Sequence, residues 1–157
     1  MRPRLGKFLI LLMLLPGAAP GAVAQDHPLG EPSPEQSSPQ PGDVTGLWRG
    51  SYVCLQGETG VELAFTEAGH PGYLRGTFKF FNLPGQSNVR PGEYSVTGLY
   101  DESERSLHVE PTAWIVRPPG YTMVGFSAQL DASARTLAGR IDDKNCSTIS
   151  VERAAAE

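Results

Sequence analysis

Leu74, Gly76, Phe78 and Phe80 lie opposite Arg75, Thr77 and Lys79. Tyr94, Val96, Gly98 and Tyr100 lie opposite Glu93, Ser95 and Thr97, and Leu137, Gly139 and Ile141 lie opposite Arg140 and Asp142. A period of two is the period of a β-strand, and one apolar face against one wet face is the pattern of antiparallel rather than parallel sheet. Past residue 46 no window of helical length carries a 3.6-residue apolar repeat, so the chain reads as all-β. Strands are predicted over Leu47–Gln56, Thr59–Thr66, Tyr73–Phe81, Glu93–Tyr100, Ser106–Glu110, Ala113–Val116, Thr122–Leu130, Thr136–Asp142 and Cys146–Glu152. The fifth and sixth pieces are placed separately, with a single strand bent at Pro111 as the alternative. Between them "EAGHPG", "NLPGQSNVRPG", "DESE", "RPPG", "DASA" and "DDKN" supply the Gly, Pro, Asp, Asn and Ser that turns require.

The segments "RGSY", "RGTF", "TGLY" and "AGRI" each place a glycine two residues before a larger apolar residue on the same face. Glycine inside a strand marks a bend or a close approach, and its recurrence on several strands suggests a sheet coiling toward closure. The expected architecture is a single small up-and-down barrel of about eight antiparallel strands. In such a meander the last strand lies beside the first, which makes Cys54 and Cys146 neighbours across the seam and predicts a disulfide between them. Neither the count nor the spacing of two cysteines and three histidines fits a zinc site. Parity leaves one point open. Cys54 shares a face with Trp48 and Tyr52, but Cys146 shares one with Thr148 and Ser150 rather than with Ile149 and Val151. Either a bulge precedes Ile149 or the bridge lies on the outer face.

Ahead of this domain, Arg2, Arg4 and Lys7 precede the apolar run "FLILLMLL" and a stretch of small residues ending at Ala22, Val23 and Ala24. Residues 1–24 are therefore expected to be a secretory signal peptide, too short in its apolar part to span a bilayer. Residues 25–43, "QDHPLGEPSPEQSSPQPGD", hold Leu29 as their one sizeable apolar side chain and are expected to form a disordered tether. The barrel domain is expected over 44–153, with 154–157 a short tail. Without the signal the chain carries 10 basic and 17 acidic residues, a formal charge of −7. No Lys/Arg cluster survives to track phosphates, so nucleic acid is not an expected partner. The expected setting is periplasmic or extracellular, where disulfides persist, with no membrane span in the mature form.

For chemistry, the nearest approach to a hydrolase elbow is "GFSAQ", which lacks the second glycine and the following helix, so Ser127 reads as a solvent-facing strand residue. His27 lies in the tether, His70 in a turn, and His108 on a wet face, so none is expected to serve as a base. The acidic pairs Asp142/Asp143 and Glu102/Glu104 read as turn residues. No catalytic residue, metal or cofactor is expected. Binding-type residues are aromatic instead. A pocket at the barrel mouth is expected from Trp114, Tyr121 and Tyr94, under the loop Asn82–Gly92 and the "RPPGY" turn. Trp48 joins this aromatic set, and the loop adds Asn88 and Arg90. A small apolar or planar ligand would suit such a pocket.

The runs "TGLW", "GTF", "YSVTGLYD" and "PTAWIV" together resemble the avidin and streptavidin family, over about Val44 to Val116. The resemblance implies a secreted eight-stranded meander barrel, similar also to lipocalins, and sets Trp114 where that family has a ligand-stacking tryptophan. The family's ureido-binding Asn and Ser would fall on Gly50 and Cys54, its hydrogen-bonding Tyr on Phe78, its next tryptophan on Met123 and its closing aspartate near Arg153. Those polar contacts are absent, so the resemblance implies the barrel and not biotin. The whole pattern from "WRGSYVCLQG" to "CSTISVER" also looks like a recurrent secreted bacterial domain. The function expected is a non-catalytic exported binding module for a small ligand, a glycan or an exported protein. The alternative is an inhibitor or regulator of a secreted hydrolase acting through the N-terminal segment, resembling small β-barrel metalloprotease inhibitors in architecture.

Overall fold

The computed structural model describes residues 43–85 and 89–155. The expected signal peptide, all of the expected tether except Asp43, and Asn88 lie outside the described residues. Eight antiparallel strands run in chain order: β1 (Gly46–Cys54), β2 (Gly57–Ala68), β3 (His70–Phe81), β4 (Gly92–Asp101), β5 (Ser106–Val116), β6 (Phe126–Leu130), β7 (Thr136–Ile141) and β8 (Cys146–Arg153). Each pairs with the next and β8 returns to β1, closing the barrel. No helix occurs among the described residues.

The seam is as the meander requires, and Cys54 and Cys146 form a disulfide across it. Its parity is settled by a bulge. Tyr52 pairs with Ile149 and Cys54 with Cys146, so Ser147 and Thr148 together face Val53. The extra residue turns Cys146 back to the inner side, where both cysteines pack against the core. A bulge of this kind also sharpens the local twist, which a small barrel needs at its closing edge.

The interior is filled by side chains. Trp48, Leu63, Phe65, Phe78, Phe80, Tyr94, Leu107, Val109, Phe126, Leu137, Ile149 and Val151 are all buried, and every one sits on the apolar parity of its strand. Three of the strand glycines let the wall turn over this core. At Gly50, Gly76 and Gly139 an added Cβ would stand 2.1, 2.1 and 1.9 Å from the carbonyl oxygens of Ser150, Ala64 and Ser127 on the adjoining strands. Gly98 is roomier, its nearest neighbour being the Leu74 Cβ at 3.3 Å.

Most strand ends shift by one to three residues, so that His70, expected in a turn, opens β3, and two differences are larger. Residues Ser106–Val116 form one strand, whose pairing with β4 slips by a residue after Pro111 and again before Val116. Thr112, the first extra residue, donates its hydroxyl to the Ser95 carbonyl at 3.0 Å. The strand predicted from Thr122 starts only at Phe126. The reason is Tyr94, whose hydroxyl donates to the Val124 carbonyl at 2.8 Å and accepts from the Val124 N–H at 3.4 Å. A side chain thereby satisfies the polar groups that a ladder would otherwise need.

Candidate functional site

The barrel has two unlike ends. At the end where β1 begins and β8 finishes, the Trp48 indole N–H donates to the Val44 carbonyl at 3.0 Å, and the Arg153 guanidinium lies 4.3 Å above the indole ring. Arg153 also donates to the carbonyls of Thr45 at 2.6 Å and Ala134 at 3.2 Å, and to that of Asp43. An arginine fork held by three carbonyls and an aromatic face is a strong closure, because its donors are spent where water would otherwise enter. Trp48, expected among the ligand-binding aromatics, is thus fully buried and belongs to this clamp, at the far end from Trp114 and Tyr121.

At the other end lie the disulfide, the β1–β2 turn, and the segments 82–85, 89–91, 117–125 and 142–145. Here an aromatic stack rises from the core toward solvent. Phe78 and Tyr94 are parallel at 4.8 Å, Phe80 and Tyr121 are stacked at 5.3 Å, and Trp114 meets Phe80 and Tyr94 edge-on at 6.3 and 5.4 Å. The Tyr121 hydroxyl accepts the Arg90 amide at 3.0 Å, tying the two long loops together over the mouth. Val89, in the first of these loops, is buried as a plug on the core.

The cavity left at this mouth, about 400 Å³, lies on the disulfide side. Phe80, Tyr94 and Tyr121 line one wall; Tyr52, Gln56, the disulfide and the turn residues Asp143 and Asn145 line the others. Trp114 stands behind Phe80 and Tyr94 and is not part of this lining. The floor is polar but satisfied: Tyr52 is hydrogen-bonded to Thr59 and Gln56, and the buried Thr59 hydroxyl donates to the Gly57 carbonyl at 3.4 Å. Burial pushes the Tyr52 hydroxyl up to about 12, and pushes that of Tyr94 further in the same direction. Both are therefore neutral donors at physiological pH. Of the six residues expected to bind ligand, Tyr94 and Tyr121 face this cavity, Trp114 supports it, Arg90 pins its rim through its amide, Trp48 is remote, and Asn88 is outside the described residues. Tyr52 and Gln56 were missed, although the alternation that put Tyr52 on the face of Cys54 could have found the first.

One cluster escaped the sequence reading. His108 does face water, but the β5–β6 register sets it opposite Ser127. Its Nδ1 is 3.0 Å from Ser127 Oγ, and its Nε2 is 3.4 Å from Glu110 Oε1. Ser127 also donates to Asp142 Oδ2 at 3.4 Å. Nucleophile, base and acid thus adjoin on the solvent-exposed outer wall, with Ser127, His108 and Glu110 on sheet whose N–H groups are used in strand pairing and Asp142 in the turn after β7. A hydrolase needs donors directed at a developing oxyanion, and an exposed, ladder-bonded sheet face is a poor source of them. Among the described residues no group of three or more His, Cys, Asp or Glu is placed to hold a metal ion. Comparison with protein-family models, curated proteins and solved structures found no match to the chain.

Proposed function

We propose that this protein is an exported, non-catalytic binding module of lipocalin-like and avidin-like architecture that takes a small, flat, largely apolar ligand at the disulfide end of its barrel. The observation that carries this reading is the aromatic lining of the disulfide end: stacked Phe80 and Tyr121, with Tyr94, wall a concave site there, whereas Trp48 at the other end is buried under Arg153. Rings already held by packing and by hydrogen bonds at their hydroxyls bind with little further ordering cost. The signal-like start of the sequence and the disulfide support export. The absence of the polar biotin contacts argues for a ligand recognised mainly by shape and stacking, with Tyr52, Gln56 and Asn145 offering a few hydrogen bonds at the edge.

The test is a thermal-shift screen of the exported chain against flat heteroaromatic compounds. A ligand at 100 times its Kd should stabilise by about 2.7 kcal/mol. That gain should disappear in Tyr121→Ala, which removes one wall of the site. The reading fails if no such compound raises the melting temperature, or if Tyr121→Ala responds as the parent does.

A further inference from the structure

A second, wider cleft of about 1300 Å³ lies at the opposite end, between the entry to β1, the β2–β3 turn and the β4–β5 turn. Val44, Phe65 and Leu74 give it an apolar base. Asp43, Glu67, Asp101 and Glu102 give it acid walls, and no Lys, Arg or His is among the residues lining it. Two arginines at this end are committed elsewhere. Arg105 donates from Nε to the Leu130 carbonyl at 3.1 Å and from Nη2 to that of Asp131, and Arg153 is held in its clamp. Asp101 accepts from Ser103 and Glu104 in its turn, which holds its carboxyl below the usual range and keeps it ionised.

Tyr100 supplies the second, independent observation. It points inward from β4, lines the cleft and is only 8% exposed. Its hydroxyl is the one buried side-chain polar atom among the described residues with no hydrogen-bond partner. Buried hydroxyls are nearly always paired, so one left unpaired beside a cleft has hydrogen-bonding capacity that a group entering the cleft can use. Asp43, Asp101 and Glu102 line the same cleft as Tyr100, and the charges felt by its hydroxyl are those three carboxylates and the Arg105 guanidinium.

We propose that this cleft is a second binding site, for an organic cation: an amine on a short apolar stem, with its ammonium among the carboxylates and hydrogen-bonded to the Tyr100 hydroxyl. The stem would lie on Phe65 and Leu74. Residues 25–42, which lead into the cleft's first lining residue, carry Asp26, Glu31 and Glu35 and no Lys or Arg. This inference is independent of the aromatic mouth and stands or falls separately.

Calorimetric titration of the exported chain with n-hexylamine, n-hexanol and hexanoate tests it. Hexylamine should bind at least about tenfold more tightly than either neutral or anionic analogue, with an affinity that falls as salt is added. Tyr100→Phe should leave the melting temperature of the unliganded protein unchanged or higher, because an unpaired hydroxyl is lost, yet weaken hexylamine binding about tenfold. Glu67→Gln combined with Glu102→Gln should weaken it comparably without touching the apolar base. Hexanol binding as well as hexylamine, no hexylamine binding at all, or parental affinity in both variants would overturn the proposal.

Discussion

Gly50, Gly76 and Gly139 face the interior where neighbouring backbone passes so close that a methyl group would sit 1.9 to 2.1 Å from a carbonyl oxygen. Backbone cannot retreat as a flexible side chain can, so Gly76→Ala should cost about 3 kcal/mol. Gly98→Ala, whose methyl would meet only side-chain atoms, of Leu74 and Leu107, at 3.3 to 3.4 Å, should cost less than about 1 kcal/mol. Urea unfolding of the two variants measures the difference, and equal losses would contradict the close-approach account. Tyr52 sets a second expectation. Its hydroxyl titrates near about 12 when folded, against 10.0 ordinarily. Between those values the unfolded chain has released a proton that the folded chain retains, so stability declines as pH rises through that window. Melting temperature should therefore drop from pH 10 upward, and less steeply in Tyr52→Phe. A slope identical in the two proteins would show that Tyr52 is not the group responsible.

The elements depend on side chains that reach across the sequence. Tyr94 holds both backbone groups of Val124 and so decides where β6 begins. Tyr94→Phe should destabilise by about 1 to 3 kcal/mol. It should also speed amide exchange at Val124 while leaving the β4 amides protected; unchanged exchange there would refute the assignment. The two-residue rhythm made β1 to β4, β7, β8 and the first half of β5 legible, since burial writes itself on every second residue, but the slips after Pro111 hid that β5 is continuous. The start of β6 was not legible, because the partner of Val124 lies 30 residues away. Likewise the parity of Cys146 admitted two solutions, and only pairing with β1 selects the bulge at Ser147 and Thr148. The Ser127–His108 contact is a product of register between β5 and β6, and no local pattern in either strand announces it. At the mouth, the aromatic residues were identifiable but their division was not: Tyr121 faces the cavity, Trp114 backs it, and Trp48 belongs to the far clamp.

At the scale of the whole molecule, closure rests on two devices, the arginine clamp at one end and the disulfide at the other. The bridge spans 92 residues of chain, and loop entropy gives such a link about 4 to 5 kcal/mol. Cys54→Ser with Cys146→Ser should therefore remain folded on its aromatic core but unfold at markedly lower denaturant; an unchanged midpoint would mean that the bridge adds nothing to stability. It should also loosen the pocket, because the sulfurs form part of the wall beside Tyr52. The central claim, that the aromatic mouth at the disulfide end takes the flat ligand, is tested most directly by mapping amide chemical shifts on titrating the exported chain with flat heteroaromatic fragments. Shifts should gather at Tyr52–Thr59, Gly120–Val124 and Asp143–Cys146. Shifts gathered instead around Trp48 and Arg153, or scattered over the outer wall, would contradict it.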